Sequence, residues 1–415
     1  MDNASSEPSY ADILRVGPGT IGGRYLRRFW QPVLMCSDIA AGHVKPIRLL
    51  GEDLTLYRGE SGAIHLLAGR CPHRGVKLAL GFVDGENLQC VYHGWTYDAS
   101  GKCVAQPAEP KPFNERIRVK SFAVQEYLGL IFVFMGEGEP PPMPRLGDYE
   151  DDALYVREIT TETWPCNYFD LIENSTDIAH TQFLHWHFGS KAPDKLDWSE
   201  SEGGMNGRFE GATGKDDIYN RIYFQMPNQS EFAVIGRTGK EGYYTYAWRV
   251  PIDDNTALRF NLGAYPRADV EANAAPGMTA YAALRGLKET NADARNASDA
   301  EREAESVTDV AAGLNAGRED MRGFRERSAK MNFRYLTNIQ DCAVLMSLGP
   351  PATREFTESF GRTDVSIALM RRLWLRELKA LAEGRPLKEW RRPDFLWADV
   401  TALHKSSAQA RKAGK

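Results

Sequence analysis

Cys71-Pro-His-Arg-Gly75 and Cys90-Val-Tyr-His-Gly94 are the two stretches that decide the fold of the first third of this chain. Each stretch places a thiol and an imidazole within a few residues, and residues 74–89 separate the two pairs. Two cysteines and two histidines can hold a 2Fe–2S cluster, with the thiolates on one iron and the imidazoles on the other. Proline fixes φ and glycine permits tight turns, so two loops could clasp one metal centre. We therefore predict that Cys71, His73, Cys90 and His93 bind the cluster.

The segments that flank these stretches are β-prone. Leu66-Leu-Ala68 leads into the first stretch, Leu88-Gln89 leads into the second, and Asp98-Ala-Ser-Gly101 predicts the turn of a hairpin. A small all-β domain over residues 46–140 follows from this pattern. A four-coordinate zinc site uses the same ligand types, although its ligands more often follow C-x-x-C or H-x3-H spacing. Buried cysteines and hydrogen-bonded histidines without a metal are the other alternative.

Length and composition are those of an ordinary globular chain. With 415 residues, of which 42% are hydrophobic and 26% charged, we expect two or more domains. The net charge of -5 gives no electrostatic reason to expect nucleic acid as a partner. We find neither a membrane-spanning apolar run nor a secretory signal pattern, so we expect neither membrane insertion nor export. The remaining cysteines have no evident pairing, which predicts a reducing cytoplasm; they are Cys36, Cys103, Cys166 and Cys342.

The chain divides at the stiff linker Pro140-Pro-Pro-Met-Pro144. Before it, residues 1–45 form an N-terminal segment with a short helix near Ile21–Phe29, followed by the 46–140 domain. After it, we expect a second domain over 155–400 and a basic tail over 401–415, which should fray from Lys405 onwards. The second domain should contain a helix from Cys166 to about Leu184, an amphipathic helix over Asp364–Leu381 and helices within 268–330. Its predicted strands are Asp217–Met226, Glu231–Ile235, Tyr243–Val250 and Ala257–Leu262.

A second group of metal-ligand residue types follows in Asn174-Ser-Thr-Asp177-Ile-Ala-His180-Thr-Gln-Phe-Leu-His185. Two histidines near an acid suggest part of the two-histidine-one-carboxylate site of non-heme Fe(II) oxygenases. Positions five apart on a regular helix differ by about 140°, so the helix must end or bulge between His180 and His185. His187 is the other possible partner, but it lies roughly 10 Å farther along the axis than His180. Histidines on an exposed helix face without a metal are the remaining alternative.

Together, these motifs resemble the oxygenase components of Rieske non-heme iron oxygenases, in the phthalate dioxygenase and aromatic O-demethylase branch. The cysteine-histidine stretches match the Rieske pattern, and Asn174, Asp177, His180 and His185 match the family's mononuclear iron segment position by position. Gln340-Asp341 through Gly349 is similar to the segment that carries the third ligand, which implies that role for Asp341. The similarity continues through Arg354, Glu358, Gly361 and Asp364, but it departs at Pro351-Ala-Thr353, where that branch usually has an acid.

The resemblance implies an α+β fold, in which a small all-β Rieske domain precedes a catalytic domain whose antiparallel sheet grips a long helix. It implies a 2Fe–2S cluster and a mononuclear Fe(II) bound by His180, His185 and Asp341. Asp177 and Asn174 would be catalytic, with Asp177 accepting a hydrogen bond from His180 and linking the two metal centres between subunits. Candidates for lining the substrate pocket, with core packing as the alternative for each, are Phe169, Phe183, Tyr246 and Trp248.

The implied function is that of the terminal oxygenase in a multi-component system, which acts with dioxygen on a small carboxylated aromatic by hydroxylation or O-demethylation. Aromatic cis-dihydroxylation is one alternative, and a Rieske electron carrier without oxygenase activity is an alternative of another class. A carrier predicts two irons per chain, whereas an oxygenase predicts three. The resemblance also implies a homotrimer. Gly17-Pro-Gly-Thr-Ile-Gly22 fits a nucleotide-binding pattern but lacks its strand and long helix, so we expect electrons from a separate reductase or ferredoxin.

Overall fold

The chain folds into two compact units in the computed structural model, which describes residues 7–188, 191, 193–210, 221–234, 242–272, 274, 306–329, 333–354 and 357–412. The first unit contains residues 1–143, with 250–254 and 381–384. The second unit contains residues 144–249, 255–380 and 385–415. The N-terminal segment 1–45 therefore belongs to the same compact unit as residues 46–140.

The first unit consists of short antiparallel strands preceded by two short helices, α1 (Tyr10–Leu14) and α2 (Ile21–Leu26). Its strands are β1 (Gln31–Met35), β2 (Val44–Leu49), β3 (Glu52–Arg58), β4 (Ile64–Ala68), β5 (Phe82–Asp84), β6 (Asn87–Gln89), β7 (Thr96–Tyr97), β8 (Cys103–Ala105), β9 (Ser121–Tyr127) and β10 (Leu130–Phe134). They form one sheet in the order β1-β10-β9-β4-β3-β2 and another in the order β5-β6-β7-β8. The predicted all-β domain is confirmed.

Sequence pattern explains how this unit is held together. Strand β10 is an uninterrupted apolar run and is buried along its whole length, as expected for an interior strand. A hydrophobic cluster under the smaller sheet packs around the sulfur atoms of Cys71 and Cys90; it includes Tyr57, Leu67, Leu78, Leu88, Trp95, Tyr97, Cys103 and Val119. The core therefore fixes the ends of β4 and β6, from which the two predicted ligand loops leave.

The second unit is built around one antiparallel sheet. Its strands are β11 (Tyr155–Trp164), β12 (Lys195–Glu200), β13 (Gly204–Glu210), β14 (Arg221–Gln225), β15 (Gln229–Val234), β16 (Tyr243–Pro251) and β17 (Ala257–Pro266). Their order is β11-β17-β16-β15-β14-β13-β12. Four of these strands correspond to the four predicted ones, although residues 217–220 and Ile235 lie outside the described residues. The mixed helix and antiparallel-sheet unit that we expected is confirmed.

The helices of the second unit differ from prediction in two places. They are α3 (Tyr168–Thr176), α4 (His180–Leu184), α5 (Arg267–Ala272), α6 (Val307–Asn315), α7 (Met321–Ser328), α8 (Phe333–Ser347), α9 (Val365–Ala382) and α10 (Ala398–Lys412). The single helix predicted up to Leu184 is wrong, because Asp177 leaves the helical region at ψ 108° and its Oδ1 accepts from the Ala179 N–H at 2.8 Å. The prediction that the tail frays from Lys405 is also wrong, because residues 405–412 continue α10, in which His404 is buried against Tyr155. The part of the predicted helices that falls on residues 275–305 lies outside the described residues.

None of the described helices combines the length and the apolar character that a bilayer crossing requires. All six cysteines are free thiols in the structure.

Candidate metal centres

The two cysteine-histidine loops have the same pattern of backbone hydrogen bonds. In the first loop the Cys71 N–H donates to the Val76 carbonyl at 2.9 Å, and the Gly75 N–H donates to the Cys71 carbonyl at 2.8 Å. In the second loop the Cys90 N–H donates to the Trp95 carbonyl at 2.8 Å, and a glycine again donates back to the cysteine carbonyl, at 3.0 Å. The two glycines have φ of +74° and +71°, a region that residues with a Cβ atom rarely adopt. The glycine in each motif is therefore required by the turn.

These loops bring the four predicted cluster ligands together around one small pocket. The cysteines are buried, whereas His73 and His93 are half-buried with their ring centroids 4.5 Å apart. The arrangement therefore has thiols on the inside and imidazoles on the outside.

The chemistry of this donor set fits a 2Fe–2S cluster. Nδ1 of His73 is buried and has no hydrogen-bond partner among the described residues, as expected for a nitrogen that binds metal. Burial raises the pKa of the Cys90 thiol, so a thiolate there requires the positive charge of a metal centre. The hydroxyl of Tyr97 lies 3.1 Å from Cys71 Sγ, within hydrogen-bond distance of the sulfur.

Three further ligand-type side chains converge in the second unit. Nε2 of His180 lies 3.3 Å from Nε2 of His185, and Oδ1 of Asp341 lies 3.6 Å and 3.2 Å from these two nitrogens. Ligand atoms about 2.1 Å from one ion, at right angles to each other, would be about 3.0 Å apart. His180, His185 and Asp341 therefore form a possible metal site, and their two-nitrogen, one-carboxylate set suits ferrous iron.

The local backbone explains how histidines five residues apart can converge. His180 is the first residue of α4, and His185 is the residue that caps its C-terminus, with a non-helical backbone at φ -98° and ψ 54°. The predicted helix end between the two histidines is therefore confirmed. His187 does not join them, because its Nε2 faces Thr337 Oγ1 at 3.3 Å.

The remaining predicted residues lie directly behind the three ligands. Oδ2 of Asp177 lies 3.4 Å from Nδ1 of His180, and Nδ2 of Asn174 donates to Oδ1 of Asp341 at 3.4 Å. Burial alone would lower the pKa of His180, but the charges of Asp177 and Asp341 outweigh it and raise that pKa. Burial alone would raise the pKa of Asp341, but its contacts with His185 and then His180 outweigh burial and hold that pKa below its usual value. Sequence reasoning missed Gln340, whose Oε1 lies 2.9 Å from His185 Nδ1.

Buried ion pairs hold α3 in place next to this site. Arg354 binds the Asp170 carboxylate with both terminal guanidinium nitrogens, and Arg371 binds Glu173 through Nε at 2.6 Å and Nη2 at 2.9 Å. The Asp170 side chain is 1% exposed and that of Arg354 is 10% exposed. The arginine and the acid that extended the sequence resemblance, Arg354 and Glu358, thus belong to the support of α3.

The aromatic residues considered for the pocket are distributed differently. Phe169 packs against Trp374 with ring centroids 5.6 Å apart, and Tyr246 packs against Trp248 at 4.4 Å. These predicted candidates are buried in the core, which was the alternative for each of them. Phe183 is 76% exposed.

Comparison with known proteins identifies the first of these centres. Residues 29–127 match the family described as the Rieske 2Fe-2S domain. The chain carries a Rieske domain.

Two relatives that match more than half of this chain are subunits of an O-demethylase and a dioxygenase. It is 35% identical over 266 residues to the 5,5'-dehydrodivanillate O-demethylase oxygenase subunit of a Sphingobium species, covering 59% of this chain and 60% of that protein. It is 31% identical over 276 residues to phenoxybenzoate dioxygenase subunit alpha of Ectopseudomonas oleovorans, covering 60% and 66%. The chain thus spans less than two thirds of the length of these curated relatives. It is similar to these two subunits over about 60% of its own length.

A solved structure establishes the fold of the two units. NdmA of Pseudomonas putida CBB5 matches with a TM-score of 0.59 and 21% identity, over 87% of this chain and 93% of NdmA. The similarity therefore extends well beyond the Rieske domain into the unit that contains His180, His185 and Asp341.

Proposed function

We propose that this protein is the terminal oxygenase subunit of a multi-component Rieske oxygenase, which uses dioxygen and electrons from a separate protein to hydroxylate or O-demethylate a small carboxylated aromatic. The convergence of His180, His185 and Asp341 within 4.8 Å carries this proposal. A Rieske electron carrier has no need for a second metal site, so this arrangement favours an oxygenase. The relatives that are named as oxygenase subunits support the same assignment.

In this proposal each metal has its own set of ligands. Cys71, His73, Cys90 and His93 would hold the 2Fe–2S cluster, and His180, His185 and Asp341 would hold Fe(II). Bound iron with open coordination positions would supply the activation of dioxygen beside the substrate.

The polar residues behind the iron ligands orient them. Oδ2 of Asp177 lies 3.4 Å from Nδ1 of His180. We propose that it accepts the Nδ1 proton once iron is bound, which would leave the Nε2 lone pair of that ring for the metal. Asn174 donates to Asp341 Oδ1 and restricts the orientation of the carboxylate. We also propose that Asp177 links the iron site to the Rieske cluster of a neighbouring subunit in a homotrimer.

A buried arginine, Arg249, is the reason to propose that the substrate carries a carboxylate. Arg249 is 5% exposed and hydrogen-bonds to neutral groups, namely Ser175 Oγ, the Trp248 carbonyl and Asn261 Oδ1. Among the described residues, no carboxylate lies within ion-pair distance of its guanidinium. Burial holds the pKa of Arg249 well below its usual value, which shows how costly its unpaired charge is. Because Ser175 follows Asn174 in α3, this cation lies close to the proposed iron site, where a substrate carboxylate would compensate it.

The electron donor in this proposal is a separate reductase or ferredoxin in the cytoplasm. A solved oxygenase–ferredoxin complex of carbazole 1,9a-dioxygenase matches this chain with a TM-score of 0.60 and 19% identity, over 89% of this chain and 96% of that oxygenase. That complex gives a precedent for a ferredoxin partner on the same fold.

Iron counting tests the proposal most directly. The reconstituted wild-type protein should contain three irons and two sulfides per chain, whereas His180→Ala should contain two irons and keep the visible absorbance of the cluster. His187→Ala is the matched control, because this neighbouring histidine lies outside the three-residue site, and it should keep three irons. An unchanged iron content in His180→Ala would refute the site.

The substrate class is tested by comparing aromatic acids with their amides in turnover assays with a surrogate reductase. Arg249→Gln should raise KM for the acids by roughly 10- to 100-fold, because a charge-assisted hydrogen bond contributes about 1.5–3 kcal/mol. KM for the amides should change little, and Arg249→Lys should recover part of the loss. Equal effects on acids and amides would refute the carboxylate contact. Formaldehyde as a product indicates O-demethylation, whereas a diol indicates dihydroxylation.

A further inference from the structure

Helix α8 contacts the imidazole of His185 at both ring nitrogens. Oε1 of Gln340 lies 2.9 Å from Nδ1, and Oδ1 of the next residue, Asp341, lies 3.2 Å from Nε2. Two consecutive residues of one helix therefore hold the same ring between them. His185 and Gln340 are 3% and 0% exposed, so water does not compete for these contacts.

The partner of Nδ1 decides which nitrogen of a neutral histidine can bind a metal. A neutral imidazole carries one proton, and only the other nitrogen has a free lone pair. An oxygen facing Nδ1 stabilises the proton there and leaves the Nε2 lone pair free. An N–H donor facing Nδ1 would do the opposite, because it would place the proton on Nε2 and block metal binding.

The side-chain amide of Gln340 can present either its oxygen or its NH₂ group to the ring. In the structure the oxygen faces His185, and Nε2 of Gln340 is buried without a hydrogen-bond partner among the described residues. Leaving a buried amide N–H unpaired costs about 1–3 kcal/mol. The orientation with the oxygen towards His185 is the one that a metal at His185 Nε2 requires.

We propose that Gln340 is a positioning residue for the iron site, and that its amide oxygen accepts the Nδ1 proton of His185 and directs the Nε2 lone pair towards the metal. The inference rests on the proposed binding of iron by His180, His185 and Asp341. It adds an asymmetry to that site, since a carboxylate, Asp177, lies behind His180 whereas a neutral amide lies behind His185.

Two substitutions separate the acceptor role from simple packing. Gln340→Met keeps most of the side-chain volume but removes the acceptor, and Gln340→Glu keeps an acceptor that cannot donate when ionised. Thr337→Val is the matched control, because Thr337 also lies on α8 and contacts a histidine, His187, which is outside the proposed site. Circular dichroism establishes that each purified variant is folded.

The measurement is the Fe(II) dissociation constant of the second site, obtained by competition with a chelator in protein that retains its cluster. Gln340→Met should weaken binding by about 10- to 100-fold, the usual effect of losing the partner of a ligand histidine. Gln340→Glu and Thr337→Val should bind Fe(II) within a few-fold of wild type. If Gln340→Met is not recovered folded, Gln340→Glu decides alone, since retained affinity supports the acceptor role and lost affinity overturns it.

The outcomes also separate this inference from the function on which it rests. Wild-type affinity in Gln340→Met, or equal losses in Gln340→Met and Gln340→Glu, would overturn the role of Gln340 while the iron site stands. A wild-type protein with two irons per chain, unchanged by His180→Ala, would remove the iron site itself.

Discussion

The two candidate metal centres of this protein are built in opposite ways. The cluster loops lie between positions 71 and 93, and each is closed by its own backbone hydrogen bonds. The second site joins two histidines at the ends of α4, His180 and His185, to Asp341 in α8. A local site needs little more than two correct turns, whereas a dispersed site exists only if separate helices are packed correctly. The second site should therefore respond to changes that leave the cluster intact.

The largest effect should come from the ion pairs that anchor α3. Arg354→Met leaves the buried Asp170 carboxylate without its partner, which should destabilise the second unit by about 3–5 kcal/mol. Chemical denaturation followed by circular dichroism measures this loss, and the mononuclear iron should be lost while the cluster absorbance persists. Arg145→Met is the control, because its pair with Glu150 is solvent-exposed and contributes at most about 1 kcal/mol. Equal effects of the two substitutions would contradict the distinction between local and dispersed sites.

A smaller effect, on turnover, is expected from substituting Asp177, which is proposed to link the two metal centres. Oδ1 of Asp177 accepts from the Ala179 N–H, so Asp177→Asn should place its NH₂ group towards Nδ1 of His180. A donor at Nδ1 disfavours metal binding at Nε2, so Fe(II) is supplied in excess until three irons per chain are counted. Turnover of this iron-loaded variant should still fall by roughly 100-fold, because the proposed link between the two centres is lost. Asp197→Asn, in an exposed part of β12, serves as the control. Normal turnover in Asp177→Asn would rule out the proposed link.

The smallest expected effect is a difference in stability between glycine substitutions in the two cluster loops. Gly75→Ala places a Cβ atom in open space, so only the positive φ should matter, at about 1–2 kcal/mol. Gly94→Ala has the same cost of a positive φ, and in addition its Cβ would lie 2.7 Å from Pro107 Cγ, which is a steric clash. Urea-induced bleaching of the cluster should therefore begin at a lower concentration for Gly94→Ala. Identical bleaching of the two variants would mean that the proline moves aside without cost.

The same contrast explains how much the sequence could predict. The turns and flanking strands of the cluster loops were predicted from sequence, because they are adjacent in the chain to the four proposed ligands. The binding of a cluster by these four residues stays a prediction. The end of the helix between His180 and His185 followed from helix geometry. Asp341 was assigned by resemblance alone, since acids are common and nothing near position 341 distinguishes a ligand from an ordinary helix residue.

Other features depend on tertiary packing and had no local signal. Gln340 and Asp341 are neighbours on α8, and residues one apart on a helix point about 100° apart, so sequence gave no reason to expect both at His185. Arg249 resembles any strand arginine until its buried, neutral surroundings are seen. The continuation of α10 through residues predicted to fray depends on burial of His404, which composition does not show.

The short helix α4 has a consequence for how this region can change in evolution. Its five residues, His180–Leu184, fix the distance between the two histidines, and His185 follows where the helix stops. Inserting or deleting one residue here would rotate His185 by about 100° relative to His180. Side chains within the helix are far less restricted, as the exposed ring of Phe183 illustrates. Homologous chains should therefore vary in the composition of this segment but not in its length.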